Sequence, residues 1–305
     1  MSQSVAVSAI QCLPGQPPKS GGCEYSFLSS DRRERRIDRM GTVLLDAVSD
    51  VLAQSQWTPD DQLAVLVNSY AGPMDTVVRC LEIIRDEGVV SLSPIHFSNS
   101  VANAQAGHCA IRFVCRGPSM TTMGSSPLYL GALWLNLHRA SRALVIDMGE
   151  FDPLGISLGT EQLSDPGLRI CESLSVMAIS NTPSDSTQVF ILAAKSALRG
   201  TDLSLDPLGD ALDQIGLSSQ NLSRVWVLDA RNHRYEIPDW RGSRVYNLSF
   251  PPGIYWYGGW EARALTSILA YHTNGSWLDG LLVHLPNGQS TAYIIASDAC
   301  QEVMS

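Results

Sequence analysis

Lysine is almost absent from this chain of 305 residues, and long apolar runs are absent altogether. Lys19 and Lys195 are the only lysines, and the formal net charge is −9 with an isoelectric point near 5.1. Nucleic acids and anionic membranes attract basic proteins, so this composition argues against both as partners. No apolar run reaches the roughly 18 residues that a membrane helix needs. The N-terminal segment MSQSVAVSAIQC lacks the basic and apolar regions of a signal peptide, and we expect a cytoplasmic protein.

Cysteine spacing typical of metal sites or disulfide frameworks is also missing. The seven cysteines are scattered along the chain without a CxxC pair, and their number is odd. We therefore expect reduced thiols, no metal and no cofactor. The sequence does have a globular composition, with 45% hydrophobic and 17% charged residues. That balance excludes disorder, and the length fits two domains of roughly 150 residues each.

Apolar periodicity predicts strands that alternate with helices. The predicted strands cover 4–11, 63–70, 119–124, 142–149, 173–180, 187–194, 224–229, 243–249, 278–285 and 290–297. The predicted helices cover 31–54, 76–88, 99–112, 127–139, 207–216 and 260–273. This alternation indicates an α/β protein with a mostly parallel sheet. Because the helices over 99–112 and 127–139 lack a clear polar face, we expect both to lie between sheets.

The most informative segment covers residues 93–152. Its matching positions are Asn103, Ala106, Gly107, His108, Arg116, Gly117, Pro118 and Ser119. In this pattern the segment resembles the β-ketoacyl synthase family of the thiolase superfamily. In that family an Asn-x-x-Ala-Gly-His helix leads to an Arg-Gly-Pro-Ser turn, and a short strand then delivers the nucleophilic cysteine. Weaker similarity extends to GGWEARALTSILAYH, which resembles the family's Gly-rich helix, and to STAYIIAS, which resembles its closing strand.

The resemblance implies a particular architecture. We expect a thiolase-like fold with two halves related by a pseudo-twofold axis, in five layers of the order α-β-α-β-α. The N-terminal ketosynthase-like half is placed at residues 1–182. A shortened C-terminal thiolase-like half follows at residues 183–305, with the family's active site at the junction of the halves.

The catalytic residues of the family are replaced at the matching positions. Counted from the Gly-Pro-Ser turn, the cysteine position falls on Ser126. The two histidine positions fall on Arg231 and Ile254, the lysine position falls on Ser249, and the Gly-Phe-Gly-Gly loop reads LPNG at 285–288. A ketosynthase needs a thiolate that accepts an acyl group and releases it to a carbanion. These joint substitutions predict that condensing activity has been lost.

Ser126, the first histidine position and His108 each have competing interpretations. Ser126 followed by Pro127 is typical of a helix start, with serine at the cap and proline in the first turn, and we favour this structural role. His233 reaches the first histidine position only if the register slips by two residues. His108 lies in the helix motif, where a hydrogen-bonded structural role is favoured over that of a base.

The resemblance supports three functional hypotheses. The first is a non-catalytic subunit similar to the chain length factors of type II polyketide synthases of the aryl-polyene type. The second is an acyltransferase or thioester hydrolase that uses Ser126. The third is a stand-alone binder of acyl carrier protein or of a fatty acyl group. The third hypothesis requires arginines at the docking face, for example Arg32, Arg33, Arg35 and Arg36.

The resemblance also implies partners. A subunit of the first kind pairs with an active ketosynthase or with itself, and it meets an acyl carrier protein. In the family, two protomers pair through the strand that follows the Gly-Pro-Ser turn. The residues expected at that interface and at the acyl tunnel are Ile95, His96, Phe97, Asn103, Thr121 and Thr122.

Overall fold

Thirteen strands and seven α-helices make up the part of the chain that the computed structural model describes. The described residues are 4–14, 37–58, 60, 62–150, 169–185, 187–198, 206–230, 239–248, 254–256, 258–272, 275–286 and 288–297. The strands are β1 (Val5–Pro14), β2 (Leu63–Ser69), β3 (Ser119–Thr122), β4 (Arg142–Gly149), β5 (Arg169–Cys171), β6 (Ser173–Ser180), β7 (Val189–Leu198), β8 (Arg224–Asp229), β9 (Asp239–Trp240), β10 (Ser243–Leu248), β11 (Ile254–Trp256), β12 (Leu278–His284) and β13 (Gln289–Ala296). The helices are α1 (Arg39–Gln54), α2 (Met74–Glu87), α3 (Pro94–Asn99), α4 (Ala104–Arg112), α5 (Pro127–Asn136), α6 (Asp206–Gln214) and α7 (Trp260–Tyr271).

Two five-stranded sets with the same pattern are joined through their β1 and β7 strands. The eleven-stranded sheet has the order β3-β2-β4-β6-β1-β7-β13-β12-β8-β10-β9. In the first set β3, β2 and β4 are parallel, whereas β6 and β1 run antiparallel to their neighbours. The second set repeats this pattern with β10, β8 and β12 parallel and β13 and β7 antiparallel. The repetition is the expected pseudo-twofold relation of the two halves.

Helices and sheets alternate in layers, which the three apolar cores identify. One core packs α1 and α4 against β1, β2, β4 and β6. A central core joins α5 and α7 to strands of both sets. The third core packs α6 against β7, β8, β12 and β13. The order of layers is therefore α-β-α-β-α, which confirms the predicted fold class.

The central helix α5 is buried because its sequence is apolar on every side. Leu128, Ala132 and Leu135 are at most 2% exposed. Gly131 allows the close approach of this helix to β4 and β6, since a Cβ atom there would lie 2.8 Å from both Val145 and Ile179. Helix α1 instead presents one apolar side to its sheet. It begins after Asp38, whose carboxylate accepts a hydrogen bond from the backbone N–H of Gly41 (2.6 Å).

The structure corrects three expectations about these elements. The sheet is mixed rather than mostly parallel, because the last two strands of each set run antiparallel. The helix predicted over 99–112 is two helices, α3 and α4, separated at residues 100–103. The hydroxyl of Ser100 bonds the carbonyl of Phe97 (2.8 Å), a local contact that competes with helix continuation. Helix α4 also lies in an outer layer, where Ile111 is 80% exposed.

Candidate functional site

The N-terminal ends of the two central helices meet at Ser126. This serine is the N-cap of α5, and Pro127 occupies the first turn. Its Oγ accepts a hydrogen bond from the backbone N–H of Tyr129 (3.1 Å). It donates one to Oε1 of Glu261 at the start of α7 (2.5 Å), and it lies 2.8 Å from the phenolic oxygen of Tyr293 on β13. Ser126 is 0% exposed, so its hydroxyl is engaged within the protein and removed from solvent.

Glu261 connects the two central helices. Its Oε2 accepts a hydrogen bond from the backbone N–H of Leu128 (3.2 Å), and its Oε1 accepts a further bond from the hydroxyl of Tyr293. Burial raises the pKa of Glu261 to about 7, although the bonds from Ser126 and Tyr293 act in the opposite direction. This carboxyl group can therefore hold or release a proton near neutral pH.

A second buried carboxyl group, Asp147, lies at the end of β4. It accepts hydrogen bonds from the side-chain amide of Asn68 (2.8 Å) and from the backbone N–H of Gly259 (2.7 Å). Burial raises its pKa to about 6, and the bonds from Asn68 and Gly259 oppose that shift. The side-chain oxygen of Asn68, Oδ1, in turn accepts hydrogen bonds from the backbone N–H of Ser125 (3.1 Å) and from the hydroxyl of Thr122 (3.2 Å). This network fixes the loop that carries Ser126.

Sequence reasoning missed the residues that surround Ser126. Asn68, Asp147 and Glu261 each stand within an otherwise apolar strand or helix, and each is at most 3% exposed. A polar residue in a run of that kind is a signal, because a buried polar group needs a partner. Tyr293 gives no comparable signal, since tyrosine is common in strands.

Of the residues predicted at the family's histidine and lysine positions, only the backbone of Ile254 falls within the described part of the chain. Arg231 and His233 lie outside the described residues, as does Ser249. Ile254 begins β11, which pairs in parallel with β5 in a separate two-stranded sheet. Among the described residues, the groups bonded to Ser126 are a carboxylate, a phenol and a backbone N–H, and none is an imidazole.

Two of the described histidines contact residues of neighbouring elements. The Nε2 of His108 lies 3.0 Å from Oδ1 of Asn99, which links α4 to the end of α3. The Nδ1 of His284 lies 2.7 Å from the hydroxyl of Ser290. Both contacts are local links between neighbouring elements, and the one at His108 agrees with the structural role predicted for it.

Four thiols in the described part of the chain have a raised pKa. Cys12, Cys80, Cys109, Cys115 and Cys171 are free. Burial raises the pKa of the first four, and it brings that of Cys115 to about 11. A nucleophilic cysteine needs a lowered pKa. In the same part of the chain no cluster of side chains suited to a metal ion is present, and no helix is long and apolar enough to cross a membrane.

The residues predicted at the interface lie on one side of the first half. β3, with Thr121 and Thr122, is the terminal strand of the eleven-stranded sheet. Helix α3 carries Ile95, His96 and Phe97, and Asn103 precedes α4. The segment from α2 to the residue after β3 also carries several exposed apolar side chains. Those more than half exposed are Leu81, Val89, Val90, Phe97, Ile111, Val114 and Met123.

Known proteins share both the motif segment and the fold. Residues 22–146 match the family model of the β-ketoacyl synthase N-terminal domain. A 3-oxoacyl-[acyl-carrier-protein] synthase 2 from Rhizobium meliloti (strain 1021) is 27% identical over an alignment of 171 positions, which covers 52% of this chain and 39% of that protein. The matched region thus spans about two fifths of that relative's length.

Solved structures extend the similarity over nearly the whole chain. The ishigamide ketosynthase/chain length factor superposes with a TM-score of 0.74 at 13% identity, covering 96% of this chain and 99% of that one. A β-ketoacyl synthase from Burkholderia phymatum STM815 gives a TM-score of 0.65 at 10% identity, covering 97% and 99% of the two chains. At these identities the similarity establishes the fold. The chain therefore has the thiolase-like fold of the β-ketoacyl synthases, and residues 22–146 match the model of their N-terminal domain.

Proposed function

We propose that the chain is a non-catalytic ketosynthase-like subunit of the chain-length-factor type. It would pair with an active ketosynthase, or with itself, in polyketide or fatty acyl biosynthesis in the cytoplasm. The observation that carries this proposal is the state of Ser126. At the position of the family's nucleophile stands a serine that is 0% exposed and bonded to Glu261 and Tyr129.

The chemistry of condensation supports this conclusion. The acyl group must first be transferred to a nucleophile that then leaves from a tetrahedral intermediate, and a thiolate performs both steps well. A serine hydroxyl at its ordinary pKa needs a base, and it must also reach the substrate. Ser126 points into the contact between α5, α7 and β13 rather than towards solvent.

The surface around β3 supports pairing with a second protein of the same fold. A terminal strand exposes unpaired backbone groups, and a neighbouring apolar patch adds a solvation cost, so soluble proteins cover such surfaces. Val90 is 96% exposed and Phe97 is 62% exposed in the segment between α2 and α4. A partner that continues the sheet across β3 would bury both features, and permanent interfaces of this kind commonly exceed about 2,000 Å².

An acyl carrier protein is the second proposed partner. One solved structure with the same fold is described as a type II polyketide synthase acyl-carrier protein in complex with its ketosynthase, and it superposes with a TM-score of 0.69 at 12% identity. We propose that the present chain meets a carrier protein as part of such an assembly. The arginines named for that contact, Arg32, Arg33, Arg35 and Arg36, lie outside the described residues.

One observation favours a second candidate, an acyltransferase or thioester hydrolase that uses Ser126. The carboxylate of Glu261 lies 2.5 Å from the serine hydroxyl, and its pKa of about 7 is suited to a general base. This candidate requires an opening that brings a thioester to a fully buried oxygen. We rank it second for that reason.

A condensation assay tests the first proposal. The purified chain is incubated with malonyl- and acyl-carrier protein, and products are identified by mass spectrometry. We expect no β-ketoacyl product, because both the thiol and the histidines are replaced. Robust condensation by the isolated protein would contradict the proposal and the residue correspondence behind it.

A further inference from the structure

Two arginines converge on one phenol at the far end of α7 from Ser126. Arg224 begins β8, and Arg244 and Tyr246 lie two residues apart on β10. Tyr271 ends α7, which has 12 residues and is therefore about 18 Å long. We call these four residues the arginine–tyrosine patch. Its distance from Ser126 makes it a separate feature of the molecule.

Aromatic rings hold Arg224 in place. Its guanidinium carbon lies 4.8 Å from the ring centre of Tyr271 and 6.0 Å from that of Tyr246. Stacking on aromatic rings orients the planar fork of an arginine before a ligand arrives. The register of β8 and β10 pairs Val225 with Val245, which makes Arg224 and Arg244 neighbours on adjacent strands. Two positive groups therefore lie side by side next to the phenol of Tyr246, and hydrogen bonding from both lowers its pKa.

A buried acid, Asp279, lies beneath the patch and is bonded to other groups through one oxygen. Asp279 is 0% exposed, and its Oδ2 lies 2.6 Å from the indole nitrogen of Trp226 and 2.7 Å from Nε2 of His272. Its Oδ1 has no hydrogen-bond partner among the described residues, although the strand register places Arg224 opposite Asp279. In the same part of the chain neither Arg224 nor Arg244 forms an ion pair with a carboxylate.

We infer that the arginine–tyrosine patch binds an oxyanion of the phosphate type, either free or as a phosphate ester, between Arg224 and Arg244. Arginine forks match the oxygen spacing of phosphate and form two charge-assisted hydrogen bonds each. The double positive charge of the pair matches the double negative charge of a phosphate. The ring of Tyr271, which is 51% exposed, provides a surface on which the organic part of an ester can stack.

The hydroxyl of Tyr246 supplies a specific readout. The hydrogen bonds from Arg244 and Arg224 lower its pKa, with that from Arg244 the larger effect. A bound phosphate would take over these donors and bring negative charge next to the phenol. Both effects disfavour the phenolate, so phosphate binding raises the pKa of Tyr246.

Titration calorimetry with inorganic phosphate tests the inference, at constant ionic strength set with sodium chloride. We expect saturable binding by the wild-type chain and a loss of affinity of about tenfold or more in Arg244→Gln, because one charged fork is removed. The matched control is Arg241→Gln, which removes a nearby arginine that stacks on Trp240 instead (5.2 Å). Affinity in the control should equal that of the wild type.

Phenyl phosphate distinguishes the two sources of the anion. Tighter binding of phenyl phosphate than of inorganic phosphate, abolished by Tyr271→Ala, would assign the site to an ester, whereas equal binding would assign it to the free ion. An ultraviolet titration of the wild type should show one phenol whose pKa rises with phosphate. The same titration of Tyr246→Phe should lack that phenol. Absence of saturable binding, or equal affinity in Arg244→Gln and Arg241→Gln, would overturn the inference. This inference is independent of the proposed function.

Discussion

Ser126 has two alternative interpretations, helix cap and nucleophile, that a sequence pattern cannot separate. The Ser-Pro pair predicts a helix cap, and the structure has that cap, with the serine oxygen 3.1 Å from the backbone nitrogen of Tyr129. The resemblance also places this residue at the family's nucleophile position. Its complete burial favours the cap, and its bond to Glu261 joins residues 135 positions apart in the chain. No local pattern could have predicted that contact, because it depends on how the two halves pack.

Replacement of Ser126 by alanine should therefore lower stability without exposing a new surface. The change removes the hydroxyl that accepts a hydrogen bond from the backbone N–H of Tyr129 and donates one to an oxygen of Glu261, and it does so in a buried place. We expect the free energy of unfolding to fall by about 1–3 kcal/mol. Urea denaturation measures it, with Ser98→Ala as control, because Ser98 is exposed and should change stability by less than about 0.5 kcal/mol. Equal effects of the two changes would contradict the role as a buried cap.

The raised pKa of Glu261 predicts a dependence of stability on pH. The folded protein binds this proton up to about pH 7, whereas the unfolded chain releases it near the ordinary value of 4.5. The contribution is therefore complete below about pH 4.5 and is lost as the pH rises through 7. Glu261→Gln, which cannot ionise, should show a smaller loss of stability between pH 4.5 and 7.5 than the wild type. If the free energy of unfolding, measured by urea denaturation, depended on pH in the same way in both proteins, the raised pKa of Glu261 would be contradicted.

At the scale of elements, the turn before β3 depends on a glycine. A Cβ atom at Gly117 would lie 2.5 Å from the carbonyl oxygen of Leu63 and 2.9 Å from the backbone nitrogen of Ala64. Both contacts are with the backbone of β2, which cannot rotate away. Pro118 then accepts a hydrogen bond from the N–H of Val65 (3.0 Å) and starts the pairing of β3 with β2.

Gly117→Ala and Gly107→Ala should act in opposite directions. The first forces β3 away from β2 and should cost about 1–3 kcal/mol of unfolding free energy. The second adds a Cβ atom with no neighbour within 4 Å inside α4, where alanine favours the helix by about 0.5–1 kcal/mol. Chemical denaturation of both variants checks the pair. A neutral Gly117→Ala would show that the Gly-Pro turn does not pack against β2 in this way.

The sequence predicted elements best where the pattern was local and strong. The strands over 142–149, 173–180 and 224–229 have the predicted bounds, because each is a short apolar run ended by turn residues. The helix over 99–112 was predicted as one element, since Ser100 and Asn103 are tolerated within helices. In the folded chain the hydroxyl of Ser100 bonds a carbonyl of α3, and the helix ends there.

At the scale of the whole molecule, the resemblance predicted the layers and the twofold repetition, whereas periodicity alone predicted a mostly parallel sheet. Strand direction in β6 and β13 follows from how the chain returns across the sheet, which depends on contacts distant in sequence. The boundary between the halves at residues 182 and 183 stays a prediction. The placement of the family's first histidine position on Arg231, or on His233 after a register slip, also stays a prediction, because both residues lie outside the described residues.

Pairing across β3 predicts an oligomer that a single charge disrupts. We expect the wild-type chain, alone or with a ketosynthase, to form a dimer in light scattering. Thr121→Asp would place an unpaired charge at the seam and should split the dimer or make the protein insoluble. Thr182→Asp is the control, since Thr182 is exposed in the turn between β6 and β7 and should leave assembly unchanged. A monomer at micromolar concentration that no co-expressed ketosynthase converts to a dimer would contradict the subunit proposal.

The most direct test of the central claim is the intact mass of the protein after incubation with acyl thioesters. The claim is that Ser126 caps α5 and does not act as a nucleophile, because its hydroxyl is buried and bonded to Glu261. We expect an unchanged mass, both with acyl thioesters and with a fluorophosphonate. A stoichiometric adduct that disappears in Ser126→Ala would show that Ser126 is a nucleophile and would make the chain a serine-dependent acyltransferase or hydrolase.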